Sequence, residues 1–260
     1  MTIPGAALSR SIRAQREALR GPALIPYLTA GFPSPGAFRA ALDAIAPHAA
    51  AIEIGVPFTD PMADGVTLQR TSRAALEQGV TLRWVLDEVG AASSRIAAPI
   101  ALMGYLNPFL RFGLADLAAA CSQSGVHALI VPDLPLEEAA AVRAALHERG
   151  VGLVQLVSPV TDPSRAARIA AATDGFLYAV TATGVTGGSA PGAPALDYLR
   201  RVRGLSAAPV CAGFGVRSAA DVAALGAEAD GVIVGSALAE AIERGADPGE
   251  WLAHLRASPA

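Results

Sequence analysis

Hydrophobic positions along the chain fall into two alternating rhythms. Short continuous apolar runs, such as Ala128-Leu129-Ile130-Val131, are separated by longer stretches in which apolar residues return every three or four positions. The first rhythm fits a strand covered on both faces, the second an amphipathic helix. After a lead-in helix over 8–20, stopped by Gly21-Pro22, strands are predicted at 23–29, 51–56, 100–105, 128–132, 153–158, 176–181, 209–214 and 231–234. Helices are predicted at 35–46, from the end of a loop over 57–65 to 78, at 81–95, 114–123, 136–149, 163–171, 195–203, 218–225, onward from 236, and at 248–256. Eight strand–helix units without a linker predict an α/β fold, a closed (β/α)8 TIM barrel with an extra N-terminal helix, in one domain over 1–260. An open doubly wound sheet is the alternative. It lacks support at the first strand end, where Thr29-Ala30-Gly31-Phe32-Pro33 stands in place of a glycine-rich nucleotide fingerprint.

Composition narrows the chemistry. Net charge is −3 with no basic tract, so nothing points to nucleic acid. No apolar run is long enough for a membrane span, and the arginine-rich start has no signal-peptide centre, which predicts a cytoplasmic protein. Cys121 and Cys211 fall in a helix and a strand and read as small core residues. All 20 basic residues are arginine. A lysine Schiff base, a pyridoxal-phosphate anchor and a P-loop lysine are therefore excluded. His48, His127, His147 and His254 are too scattered to suggest a metal site. Carboxylates, hydroxyls and backbone amides are left to do the work.

Barrel active sites gather at the C-terminal ends of strands. Those ends carry Tyr27, Glu53 with Asp60 and Asp64, Tyr105 and Asn107, Asp133, Tyr178 and Thr181. The last two strands end in Gly213-Phe214-Gly215 and Gly235-Ser236. Gly215 and Gly235-Ser236 offer free amides and a helix N-terminus to a phosphate, or simply make tight turns. Glu53 lies between Ile52 and Ile54, so alternation turns it away from the helix layer into the barrel, where desolvation would raise its pKa. The competing reading is an outward glutamate paired with an arginine. Asp64, in a mobile-looking loop, is either a second functional carboxylate or a turn and cap residue before Gly65. The glycine-rich stretch 183–192 reads as a lid that excludes water or as an ordinary surface loop.

The run Glu53-Ile54-Gly55-Val56-Pro57-Phe58-Thr59-Asp60-Pro61-Met62-Ala63-Asp64-Gly65 resembles the signature of the tryptophan synthase alpha subunit family. Pro26-Tyr27-Leu28-Thr29-Ala30-Gly31, Pro132-Asp133-Leu134-Pro135, Gly184-Val185-Thr186-Gly187, Gly213-Phe214-Gly215 and Val234-Gly235-Ser236-Ala237 match in order, so that the resemblance covers nearly the whole chain. It implies retro-aldol cleavage of indole-3-glycerol phosphate to indole and glyceraldehyde 3-phosphate. By the family pattern Glu53 shuttles a proton between the glycerol hydroxyl and indole C3, and Asp64 accepts the indole N–H. Tyr178 orients Glu53, and Thr186 meets Asp64 when the lid closes. Tyr27 and Tyr105 line the indole pocket, Phe214 contacts substrate, and Gly187, Gly215, Gly235 and Ser236 bind phosphate.

No metal and no cofactor is implied for this chain, pyridoxal phosphate being expected only in a beta-subunit partner of an alpha2beta2 assembly. Phe58, Asp60, Pro61, Asn107 and Pro135 are implied to face that partner. Ala182 replaces an arginine found in many members, the lid over 187–194 lacks a charged residue, and Val66 stands where proline is common; these bear on lid closure and coupling. Two rivals remain at this point: a stand-alone lyase releasing free indole, and a non-catalytic barrel acting as a binding or regulatory subunit.

Overall fold

The apolar runs become strands, and the strands close on themselves. The computed structural model describes residues 3–181, 192–213 and 215–256. Eight parallel strands pair in chain order as a closed barrel: β1 (Ala23–Thr29), β2 (Ile52–Gly55), β3 (Ile100–Met103), β4 (Val126–Ile130), β5 (Gly152–Val157), β6 (Leu177–Val180), β7 (Val210–Gly213) and β8 (Gly231–Val234). Around them run α1 (Ala6–Leu19), α2 (Pro35–Ile45), α3 (Val66–Glu77), α4 (Leu82–Ala92), α5 (Leu106–Phe112), α6 (Leu114–Ser124), α7 (Ala140–His147), α8 (Pro163–Ala172), α9 (Ala193–Arg203), α10 (Ala219–Gly226), α11 (Ser236–Glu243) and α12 (Pro248–Arg256).

Strand alternation sorts the core into two shells. Leu24, Leu28, Ile52, Ile54, Leu102, Leu129, Leu177 and Val232 pack outward against the helices. Ile25, Tyr27, Met103, Ile130, Tyr178, Cys211 and Ile233 point inward. The lead-in helix belongs to the inner shell. Leu8 and Ile12 of α1 are fully buried beside Ala50, Ala51 and Phe176, each contributing about 1.5–3 kcal/mol of burial free energy. The side-chain carbonyl of Gln15 accepts from the Leu24 amide at 2.9 Å, and Ser11 donates to the Ala50 carbonyl at 2.5 Å. α1 is thereby fixed against the N-terminal end of the barrel.

Helix starts follow local chemistry. The Ser34 side chain caps α2 ahead of Pro35, Asp162 caps α8 ahead of Pro163, and Ser218 with Asp221 forms a reciprocal box at α10. Two differences from the sequence reading stand out. The strand expected over 100–105 stops at Met103, because the chain turns directly into α5, which the pattern around Pro108 did not suggest. The helix expected over 136–149 is a 3-10 turn, Leu136–Glu138, followed by α7. Among the described residues no helix is long and apolar enough to cross a membrane.

Candidate active site

Glu53 is 1% exposed, and among the described residues neither carboxylate oxygen has a hydrogen-bond partner. A buried carboxyl without a donor is costly to ionise. Burial, and next the negative charge of Asp64, push its pKa up to about 8. It lines a cavity of about 40 Å³ with Tyr27, Asp64, Leu68, Met103, Tyr178, Ile233 and the glycine-rich strand ends Gly215, Gly235 and Ser236. Two larger crevices, of about 560 and 400 Å³, lie around the C-terminal end of α1 and contain neither carboxylate.

Asp64 reaches this cavity because its loop is tied down on several sides. The Ser72 hydroxyl of α3 accepts from the Phe58 amide at 2.8 Å and donates to the Phe58 carbonyl at 3.0 Å. The Tyr105 hydroxyl accepts from the Ala63 amide at 3.0 Å, Gln69 donates to the Asp64 carbonyl at 2.9 Å, and the Asp64 amide donates to Pro61 at 3.0 Å. The loop that looks mobile in sequence is therefore fastened. Asp64 does not cap α3 either, since Gly65 stands at the N-cap of that helix and no side chain caps it. Burial raises its pKa to about 6, while the Tyr105 hydroxyl pulls the other way. Near pH 7 Glu53 is thus mainly protonated and Asp64 mainly ionised. Two carboxyls with separated pKa values suit a proton donor and an anionic acceptor.

Tyrosines form the walls. Tyr27 and Glu53 are register partners on β1 and β2, and the phenol oxygen sits so close over Gly55 that a Cβ there would fall 1.9 Å from it. Tyr178 on β6 stands beside Glu53, which with burial raises its phenol pKa well above the usual value. Glu53 accepts no hydrogen bond from it in this structure. Tyr105, at the start of α5, stacks on Phe58 with ring centroids 5.3 Å apart. Asp133 accepts from the Leu106 amide at 2.9 Å, which holds the first turn of α5 and so Tyr105.

The opposite wall suits an anion. α11 begins at Ser236 after an N-cap at Gly235 that makes no side-chain cap, and among the described residues the buried Ser236 hydroxyl has no partner, so this helix start can take an anion. Gly215 has a φ of +84°, a left-handed conformation open to glycine at little cost, with nothing within 4 Å of where a Cβ would project. Arg217 lines the same cavity but pairs with Glu240 of α11 at 2.5 Å.

Thr186, Gly187, Phe214 and the lid positions lie outside the described residues. Of the proposed partner-facing residues, Asp60, Asn107 and Pro135 are exposed, Phe58 is half-buried and Pro61 is buried. Sequence reading did not single out Leu68, Met103, Val216, Arg217, Ile233 or Ala237. Inward alternation on β3 and β8 could have found Met103 and Ile233; Leu68 carries no such signal.

Residues 13–257 match the family model described as tryptophan synthase alpha chain. The chain is 44% identical over 248 residues to the tryptophan synthase alpha chain of Nitratidesulfovibrio vulgaris strain DP4, covering 94% of this chain and 96% of that one. It is 45% identical over 236 residues to that of Roseiflexus sp. strain RS-1, covering 89% of each. Among solved structures, Mycobacterium tuberculosis tryptophan synthase superposes with a TM-score of 0.88 at 38% identity, over 96% of this chain and 98% of that one. The tryptophan synthase complex of Pyrococcus furiosus superposes with a TM-score of 0.80 at 36% identity, over 90% and 96% of the two chains.

Proposed function

The chain belongs to the tryptophan synthase alpha chain family, and on that premise we propose how its site works. Its reaction is the retro-aldol cleavage of indole-3-glycerol phosphate to indole and glyceraldehyde 3-phosphate, within tryptophan biosynthesis and as the alpha partner of an alpha–beta complex. The observation that carries the mechanism is the unpartnered, protonated Glu53 facing an uncapped helix N-terminus across one cavity.

In this reading the phosphate sits on the amides at Gly215, Gly235 and Ser236, with the Ser236 hydroxyl as a further donor. The indole ring lies between Tyr27 and Tyr105, its N–H toward Asp64. Protonated Glu53 delivers its proton to indole C3, and the positive charge that develops on the ring nitrogen is met by ionised Asp64. Such placed charge typically contributes ~10²–10³ in rate. The Glu53 carboxylate then takes the proton of the neighbouring glycerol hydroxyl. That oxygen becomes the aldehyde as the carbon–carbon bond breaks and its electron pair returns to the ring. Glu53 ends protonated, ready for another turn. Tyr178 orients Glu53, and Thr186, Gly187 and Phe214 complete the site when substrate is bound.

The whole barrel acts as one cytoplasmic domain and uses no cofactor of its own, pyridoxal phosphate being confined to the beta subunit. The exposed Asp60, Asn107 and Pro135 on the barrel mouth, with the half-buried Phe58, form the surface toward that subunit, and the buried Pro61 shapes the loop behind it. An indole-release assay with and without a tryptophan synthase beta subunit tests the reading. Cleavage that rises on adding the beta subunit and vanishes in Glu53→Gln is expected. A Glu53→Gln protein with near-normal cleavage would overturn the assigned proton path, and turnover indifferent to the beta subunit would favour a stand-alone lyase.

A further inference from the structure

One cation stands at the phosphate end of the cavity, and the scheme above gives it no task. Among the described residues that line this space, Arg217 is the only basic one. It follows Gly215 by two positions, and its backbone is fixed. The Asp221 carboxylate, in the box that opens α10, accepts from the Arg217 and Ser218 amides, each at 2.9 Å. The side chain is 45% exposed. Among the described residues its guanidinium has Glu240 alone as partner, with Nη2 2.5 Å from one carboxylate oxygen and Nη1 3.5 Å from the other. Glu240 lies four residues beyond Ser236 on α11. Residues so spaced share a helix face at a separation of about 6 Å. The guanidinium that reaches Glu240 is therefore about one helical turn from the helix start.

Glu240 does not depend on this one partner. Thr67, in the first turn of α3, donates to one of its oxygens at 3.2 Å, and Arg244 lies 4.0 Å from the other. Its charge stays paired when Arg217 leaves, and an exposed ion pair contributes little to begin with. A phosphate offers the guanidinium more, since two of its oxygens can take parallel, charge-assisted hydrogen bonds. It also brings a negative charge into a cavity that already holds Asp64. Lysine, the other side chain suited to answering that charge, is absent from the whole chain.

We propose that Arg217 is a substrate-binding residue that Glu240 holds in reserve. When substrate enters, the guanidinium leaves Glu240 and closes on the phosphate seated at Gly215, Gly235 and Ser236. The inference deepens the reading of the phosphate end given above and rests on it. The competing account is fixed neutralisation, in which Arg217 stays on Glu240 and only cancels a negative charge beside the phosphate. The two part when both charges are removed together. Under fixed neutralisation a neutral pair replaces a neutral pair, and phosphate affinity is unchanged. Under the switch the direct contact is lost, and affinity stays low.

The experiment is a phosphorus-31 titration of inorganic phosphate with the full-length chain, circular dichroism confirming the fold of each variant. Arg217→Gln should weaken binding about tenfold, the effect of losing a charge-assisted hydrogen bond. Glu240→Gln frees the guanidinium and should tighten binding about threefold, glutamine still accepting from Thr67. The double variant should stay several-fold weaker than the parent, and KM for indole-3-glycerol phosphate should follow the same order. A double variant that binds phosphate like the parent would overturn the switch in favour of fixed neutralisation. An Arg217→Gln protein with parental affinity would overturn it as well. Both results leave the phosphate end where it is placed above, provided that Ser236→Ala weakens binding. If Ser236→Ala also binds like the parent, the anion is held elsewhere, and that placement falls together with the inference.

Discussion

Replacing Glu53 by glutamine should abolish cleavage and at the same time stabilise the fold. The carboxyl pKa is raised from 4.5 in an ordinary setting to about 8 in the folded protein. A raised carboxyl pKa means that folding favours the protonated form, so the fold is least penalised below the unfolded value and loses stability as pH climbs toward the folded one. At pH 7 the unfolded glutamate ionises freely, while the folded one must keep its proton. The gap of about 2.5 units between pH 7 and the unfolded value corresponds to about 3 kcal/mol. Glutamine has the same shape and stays neutral in both states. Glu53→Gln should therefore be more stable by about 3 kcal/mol at pH 7 and by under ~1 kcal/mol at pH 5, with the difference growing through the window from 4.5 to 8. Asp64, raised from 3.8 to about 6, acts in the same direction but is present in both proteins and cancels from the comparison. Urea unfolding at pH 5, 6, 7 and 8, followed by circular dichroism, measures the difference directly. A difference that does not vary with pH, or a variant less stable than the parent at pH 7, would show that Glu53 is not held protonated by its surroundings.

Two further expectations follow from the walls of the cavity. A Cβ at Gly213 would lie 2.4 Å from a ring carbon of Tyr178, so Gly213→Ala should displace that ring from Glu53. Misplacement of about 1 Å can cost ~10²-fold, and kcat/KM for indole release should fall by about that factor, with about 1–3 kcal/mol of stability lost to overpacking. Ser236→Ala removes the one side-chain hydroxyl at the uncapped start of α11. It should raise KM and weaken inhibition by inorganic phosphate several-fold, by about 1 kcal/mol, while kcat changes less; steady-state kinetics with phosphate as competitor reads this.

Much of the architecture could be read from the chain because its signals are local. The bounds of β1, β8 and α12 coincide with the expected ones, each set by an apolar run or a periodic stretch with glycine or proline at one end. Alternation alone placed Glu53 away from Ile52 and Ile54, and the structure puts it among the inner residues. What was missed depends on contacts distant in sequence. α5 is a short helix carrying Pro108, and Asp133, 27 positions away, holds its first amide. The loop before Asp64 looks mobile until Ser72 and Tyr105 are seen to fasten it. Thr29 and Thr71, 42 positions apart, meet only when α3 packs against β1. Residues 182–191 and 214, with Thr186, Gly187 and Phe214 among them, lie outside the described part.

The central claim is that Glu53 works as the acid and Asp64 as the anion. The pH dependence of kcat/KM for indole release, in the parent and in Asp64→Asn, tests it most directly. With Asp64 near 6 and Glu53 near 8, the parent should give a bell: activity falls below about 6 as Asp64 gains a proton and above about 8 as Glu53 loses one. The substrate phosphate also titrates near ~6, and the variant separates the two. Asp64→Asn should lose the part of the acid limb that Asp64 carries and move the basic limb to lower pH, because the negative charge that helps to raise Glu53 is gone. An acid limb unchanged between the parent and Asp64→Asn, or a basic limb that stays in place, would contradict the account.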